Sequence, residues 1–179
     1  MQPLPSRRTG AGFTLIEIAV VLAILAVLLA IALPSFADAR LRRRVHAASE
    51  QLLRELHWVR MEAAARGYTL RLSVKDGPGG SCLITHSGPQ SKCQCASGGA
   101  LCAGDAVLLR SHWLPAHDEV RFAANVSSMT FDPVHGTAIG GTVQVLAGNY
   151  ALEHAVSSFG RVERCAASPS AFAGMARCK

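Results

Sequence analysis

Gly12-Phe13-Thr14-Leu15-Ile16-Glu17 leads into a run that stays apolar as far as Leu33 and stops at Pro34. The 21 residues Phe13–Leu33 carry one charge, Glu17. As a helix rising about 1.5 Å per residue, they match the hydrocarbon thickness of a bilayer, so the run reads as a membrane-spanning segment. Upstream, the charges are Arg7 and Arg8, which keep the N-terminus in the cytoplasm and send everything after Leu33 across the membrane. A secretory signal peptide is the competing reading, with Ala37-Asp38-Ala39 as its cleavage site. Two features oppose it: the run exceeds a usual apolar signal region, and a carboxylate at mid-bilayer costs roughly 2.5–3.5 kcal/mol. Such a carboxylate needs a partner.

The remaining chain reads as one domain. With 179 residues, 50% hydrophobic and 17% charged, it has the apolar content for a core and is not intrinsically disordered. Pro34 is expected to kink or interrupt the helix. Beyond it Leu41, Val45, Ala48, Leu52, Leu56, Val59 and Ala63 step by three or four, one apolar face, and Gly67 is placed to end the helix. The other face carries Arg40, Arg42, Arg43, Arg44, Arg54 and Arg60; four arginines in five positions just outside the span could serve nucleic acid or anionic lipid, but the expected role is to meet acidic side chains of neighbouring subunits in a filament or to stay solvated. After Gly67 the period shortens to two, at Leu70, Leu72 and Val74. Further strands are predicted at Cys82–Thr85, Ala106–Trp113, Val120–Ala123, Met129–Asp132, Thr142–Leu146, Tyr150–Val156 and Arg161–Arg164, with 87–104 as a loop pinned by cysteines. The predicted class is α+β, one long helix followed by an antiparallel sheet.

The opening hexapeptide, the unbroken apolar stretch and Pro34 resemble the class III signal of type IV pilins and type II secretion pseudopilins. The resemblance implies a prepilin peptidase that cuts after Gly12 and methylates the new N-terminus at Phe13, and a neighbouring subunit whose Phe13 ammonium pairs with Glu17. Phe131-Asp132-Pro133, Gly136, Gly140-Gly141-Thr142-Val143 and Gly160-Arg161-Val162 are similar to the globular domain of the GspH/FimT branch, which holds minor pseudopilins and minor pilins. The implied organisation is a cleaved leader 1–12, a transmembrane and assembly segment 13–39, and an exported pilin-like domain 40–179, anchored in the inner membrane by a single pass. Its partners would be other pilin subunits.

Six cysteines, at 82, 93, 95, 102, 165 and 178, all follow the span, where an exported domain meets an oxidising compartment. Cys165–Cys178 is the first pairing expected. A Cys93–Cys95 bond would be strained, which leaves Cys82–Cys93 with Cys95–Cys102, or Cys82–Cys95 with Cys93–Cys102. A zinc site from these four with His86 lacks paired C-x-x-C knuckles, and no metal or other cofactor is expected. The seven histidines are scattered, His117-Asp118 is a lone dyad, and no nucleophile elbow or phosphate loop accompanies it, so no enzyme is expected.

Removing Arg7 and Arg8 with the leader lowers the formal charge from +6 to +4. Between Gly160 and Lys179 stand Arg161, Arg164, Arg177 and Lys179 against Glu163 alone, read as a basic segment tethered by the loop that Cys165–Cys178 would close and suited to salt-dependent phosphate contact. FimT-type minor pilins, which it resembles, use a Gly-Arg-x-Arg motif and the following tail to bind DNA during natural transformation. Here the run is Gly160-Arg161-Val162-Glu163-Arg164, so the second arginine is displaced by one. Residues three apart on a regular strand lie on opposite faces, and the two arginines converge only at a bulge or turn. The expected function is that of a FimT-type minor pilin serving pilus assembly and DNA uptake. The alternative is a GspH-like secretion pseudopilin that contacts tip partners or exported protein.

Overall fold

The computed structural model describes residues 13–167 and 169–178. One α-helix, α1 (Leu15–Arg66), is followed by eleven strands: β1 (Leu70–Gly77), β2 (Gly80–His86), β3 (Cys93–Ala96), β4 (Gly99–Cys102), β5 (Leu108–Pro115), β6 (Arg121–Ala124), β7 (Met129–Phe131), β8 (Ala138–Ile139), β9 (Gly141–Ala147), β10 (Tyr150–Val156) and β11 (Val162–Ala166). The chain divides into two compact units, to Ala39 and from Arg40. In the first, the large apolar side chains from Leu15 to Leu33 are exposed, and none of the most hydropathic stretch is buried. The helix assignment continues through Pro34, so the expected interruption does not occur; a proline removes one backbone donor, and the remaining ladder of a long helix carries past it.

In the second unit the apolar face predicted for the helix is the one that is buried. Val45, Ala48, Leu52, Leu56, Val59 and Ala63 lie at 6% exposure or less, and Leu41 packs at their edge. The helix closes as expected: Gly67 takes φ +71° and its N–H donates to the Ala63 carbonyl at 3.0 Å.

The strands form two larger antiparallel sheets and a hairpin, where a single sheet was expected. One sheet has the order β5-β2-β1-β7-β8, the other β11-β10-β9-β6, and β3-β4 stand apart. Both sheets send alternate side chains into a core shared with the helix: Leu70, Leu72, Leu83, Met129 and Phe131 from one, Phe122, Val143, Val145 and Leu152 from the other. Truncating a core leucine such as Leu52 to alanine typically costs about 2–5 kcal/mol.

The 87–104 segment is not a plain loop. It forms β3 and β4, with Cys93 opposite Cys102, and covers the outer face of β2. Cys82, Ile84, Cys93, Cys95, Ala100 and Ala106 form a second small core there, with Trp113 packed against it. Disulfides join Cys82 to Cys95, Cys93 to Cys102 and Cys165 to Cys178. The second alternative for the inner four is therefore the one adopted, and the terminal pair is as expected.

Candidate functional site

At its N-terminal end the helix is capped by Thr14. Its hydroxyl and carbonyl both receive the Glu17 N–H, at 3.3 and 3.1 Å. Thr14-Leu15-Ile16-Glu17 is the T-x-x-E capping pattern, a signal in the sequence that the apolar run overshadowed. Phe13 and Glu17 are exposed, and among the described residues Glu17 has no ion-pair partner. Gly12, the other half of the processing junction, lies outside the described residues, as does Lys179.

Among the described residues, the basic side chains near the C-terminus are spread out rather than gathered. Arg161 follows a tight turn in which its N–H donates to Ser157 Oγ at 3.2 Å and the Ser157 N–H to its carbonyl at 2.9 Å. Gly160 in that turn has φ +71°, and a Cβ there would stand 3.0 Å from the Gly136 carbonyl oxygen, so a side chain fits poorly. The Arg60 guanidinium donates to the Gly160 carbonyl at 3.1 Å, which fixes the turn beside the last part of the helix. The Arg161 side chain is exposed and ion-paired with Glu163.

Arg164 takes a different course. β10 and β11 pair continuously from Val156↔Val162 to Leu152↔Ala166 without a bulge, so Arg164 and Glu163 point to opposite faces. Arg164 reaches the helix and hydrogen-bonds Glu50, and that bond holds the Glu50 carboxyl below its ordinary pKa. Arg161 and Arg164 therefore do not converge. Both precede Cys165, so only Arg177 of the three lies within the disulfide loop. Arg177 is exposed and bridges Ala166, five extended residues, about 16 Å, from Arg161. The loop itself is anchored by buried Phe172, edge-on to Tyr150 at 5.9 Å, and by Arg42, which donates to the Ala171 carbonyl at 3.4 Å.

Sequence reasoning missed a polar cluster between the helix and β2–β5. Glu55 is 2% exposed, yet it accepts from Thr85 Oγ1 at 2.8 Å and pairs with His112 Nε2 at 3.0 Å, while Gln51 bonds His112 Nδ1 at 2.5 Å. Burial pushes the Glu55 pKa up, but the bonds from His112 and Thr85 and the charge of Arg110 outweigh it and hold the carboxyl low. Arg110 lies 3.7 Å over the Trp58 ring. Two further histidines are buried: His86 bonds Ser73 Oγ at 2.9 Å and His154 bonds Ser49 Oγ at 2.7 Å. The Glu55 bonds and the Ser49–His154 bond tie the helix to the sheets, and the Ser73–His86 bond ties β1 to β2 within one sheet. Glu153 lies near Cys165 and Cys178, but both sulfurs are spent in the disulfide and supply no thiolate for a metal.

Residues 48–160 match the family described as type II transport protein GspH, and residues 7–33 match the prokaryotic N-terminal methylation motif. Comparison with curated proteins gives no match. Among solved structures, the chain is similar to the type IV minor pilin FimU of Pseudomonas aeruginosa in two crystal forms. One is 21% identical with a TM-score of 0.49, covering 68% of this chain and 88% of that one. The other is 20% identical with a TM-score of 0.47, covering 66% and 90%. With an apolar methylation-type helix ahead of a sheet domain that fits the family over most of its length, this chain belongs to the GspH family of pilin-like subunits.

Proposed function

We propose that the chain is a FimT-type minor type IV pilin: cleaved between Gly12 and Phe13, built into a filament through its N-terminal helix with the sheet unit on the exported side, and contributing to pilus assembly and to DNA binding in natural transformation. The observation that carries the assembly reading is the exposed apolar surface from Leu15 to Leu33 with one carboxylate, Glu17, that has no ion-pair partner among the described residues. A methylated ammonium at Phe13 of the neighbouring subunit supplies that partner and offsets the cost of burying both charges. Mass analysis of the mature chain should give an N-terminus at methylated Phe13, and Glu17→Ala should insert into the membrane yet fail to enter filaments. A mature chain starting at Arg40, or normal incorporation of Glu17→Ala, would defeat the reading.

For DNA, Arg161 and Arg177 are the exposed cations, with Lys179 following, whereas Arg164 is available only when Glu50 releases it. Duplex titration of the Arg40–Lys179 unit at two ionic strengths tests this. Arg161→Ala/Arg177→Ala should lower the salt slope by about two units, and Glu50→Ala should raise affinity by freeing Arg164. The second reading is a secretion pseudopilin whose sheet unit meets tip partners or exported protein. It is favoured by the carboxylates already paired with Arg161 and Arg164, and an absence of duplex binding by the wild type would select it.

A further inference from the structure

Arg40, Arg42, Arg43 and Arg44 come four to eight residues after Phe36, a large apolar side chain three residues past the end of the run. Helical side chains lean toward the N-terminus of their helix. The interfacial layer of a bilayer is roughly 5–7 Å deep on each side, within reach of guanidinium groups on stems this long. In the orientation proposed above, the positive-inside tendency opposes carrying four arginines across a membrane beside the span, so the cluster is costly unless it meets negative charge.

Among the described residues an ion pair supplies that charge at Arg44. Arg44 pairs with the Asp118 carboxylate at 3.6 Å and donates to the Asp118 carbonyl at 3.2 Å. Arg42 makes the long bond to the Ala171 carbonyl. Arg40 and Arg43 are exposed and have no hydrogen-bond or ion-pair partner among the described residues. Beside them is a concavity of about 220 Å³, with Arg42, Arg43 and His46 on one wall and Ala171, Phe172 and Met175 of the disulfide loop on the other. A cationic wall facing an apolar one complements the junction of a phospholipid, where phosphate adjoins glycerol and acyl chain.

We propose that Arg40, Arg42 and Arg43, together with the apolar wall of the disulfide loop, form a headgroup site for anionic phospholipid that holds the subunit at the membrane surface before it enters a filament. The site rests on the reading of Phe13–Leu33 as a membrane span and is independent of the DNA role.

Full-length protein in detergent micelles, with phosphatidylglycerol or phosphatidylcholine added, gives the test by native mass spectrometry. Wild type should retain phosphatidylglycerol preferentially. Arg42→Gln/Arg43→Gln should lose about 30-fold of that preference, the effect of two cations at an anionic surface, and Arg42→Lys/Arg43→Lys should keep it. Should the glutamine double variant melt early by circular dichroism, the single Arg43→Gln, at a side chain without a partner among the described residues, carries the comparison with about a five-fold loss. Equal retention of both lipids by wild type, undiminished preference in the glutamine variants, or loss in the lysine variant overturns the site. Displacement of the lipid by inorganic phosphate or by duplex DNA overturns it as well, pointing to a free-phosphate or a nucleic-acid surface. Glu17→Ala separates this proposal from the filament reading: it should keep the lipid preference, and normal filament entry by that variant would defeat assembly through Glu17 while leaving this measurement intact.

Discussion

His154 makes the stability of the sheet unit depend on pH in a way that can be measured. It is fully buried on β10, with Nε2 against Ser49 Oγ and Nδ1 without a hydrogen-bond partner among the described residues. Burial first, and the Arg164 charge second, push its pKa down to about 4, against an opposing pull from Glu50. In the unfolded chain the imidazole titrates near 6.5. Between those values the unfolded chain binds a proton that the folded chain does not, so stability is fully present above pH 6.5 and falls as pH drops toward 4. The slope is about 1.4 kcal/mol per pH unit, or about 3 kcal/mol across the window. His86, lowered chiefly by burial against the bond to the Ser87 carbonyl, acts in the same direction. Urea unfolding of the Arg40–Lys179 unit, which holds all three disulfides and a core beginning at Val45, should be followed from pH 4.5 to 7 for wild type and His154→Gln. The substitution lowers stability at every pH; the informative quantity is the slope, which should flatten by close to one proton. Parallel curves would refute the argument, since they would mean His154 titrates alike in both states.

Glu55→Ala leaves His112 and Arg110 facing a buried gap and Thr85 without its acceptor, and should cost about 3 kcal/mol in urea unfolding at pH 7; a cost below about 1 kcal/mol would show that the cluster is not a tie between helix and sheet. Gly140→Ala would place a Cβ 1.9 Å from the Val156 carbonyl oxygen, a backbone contact that cannot give, so its calorimetric melting temperature should drop by several degrees. An unchanged Tm would mean that the 138–141 segment lies farther from β10 than described.

What the sequence made legible follows from periodicity. The stripe from Val45 to Ala63 and the alternation in β9 and β10 each bury one face, so apolar spacing reports them directly. β2 does not alternate: every position from Ser81 to His86 is buried, because the core covers one face and the β3–β4 hairpin the other. Without that cover β3 and β4 read as a glycine-rich, cysteine-pinned loop, since four-residue strands give little periodic signal, and their pairing depends on what they cover. The two-residue β8 was missed for the same reason.

Polar pairing over long separations is the part that local patterns omit. Glu55 stands three residues from Leu52 and four from Val59, inside the apolar stripe, and that misfit was a visible sign of a buried partner; which partner depended on β2 and β5 being adjacent. Arg164 shows the consequence for function. Spacing alone established that it cannot share a strand face with Arg161, but not that the opposite face would present Glu50 from a helix 114 residues earlier. A basic segment read as charge available to a ligand is thereby halved: Arg164 serves the helix–sheet contact, and Arg161, though exposed, carries its own glutamate. Arg40 and Arg43, shortly after the apolar run, have no hydrogen-bond or ion-pair partner among the described residues.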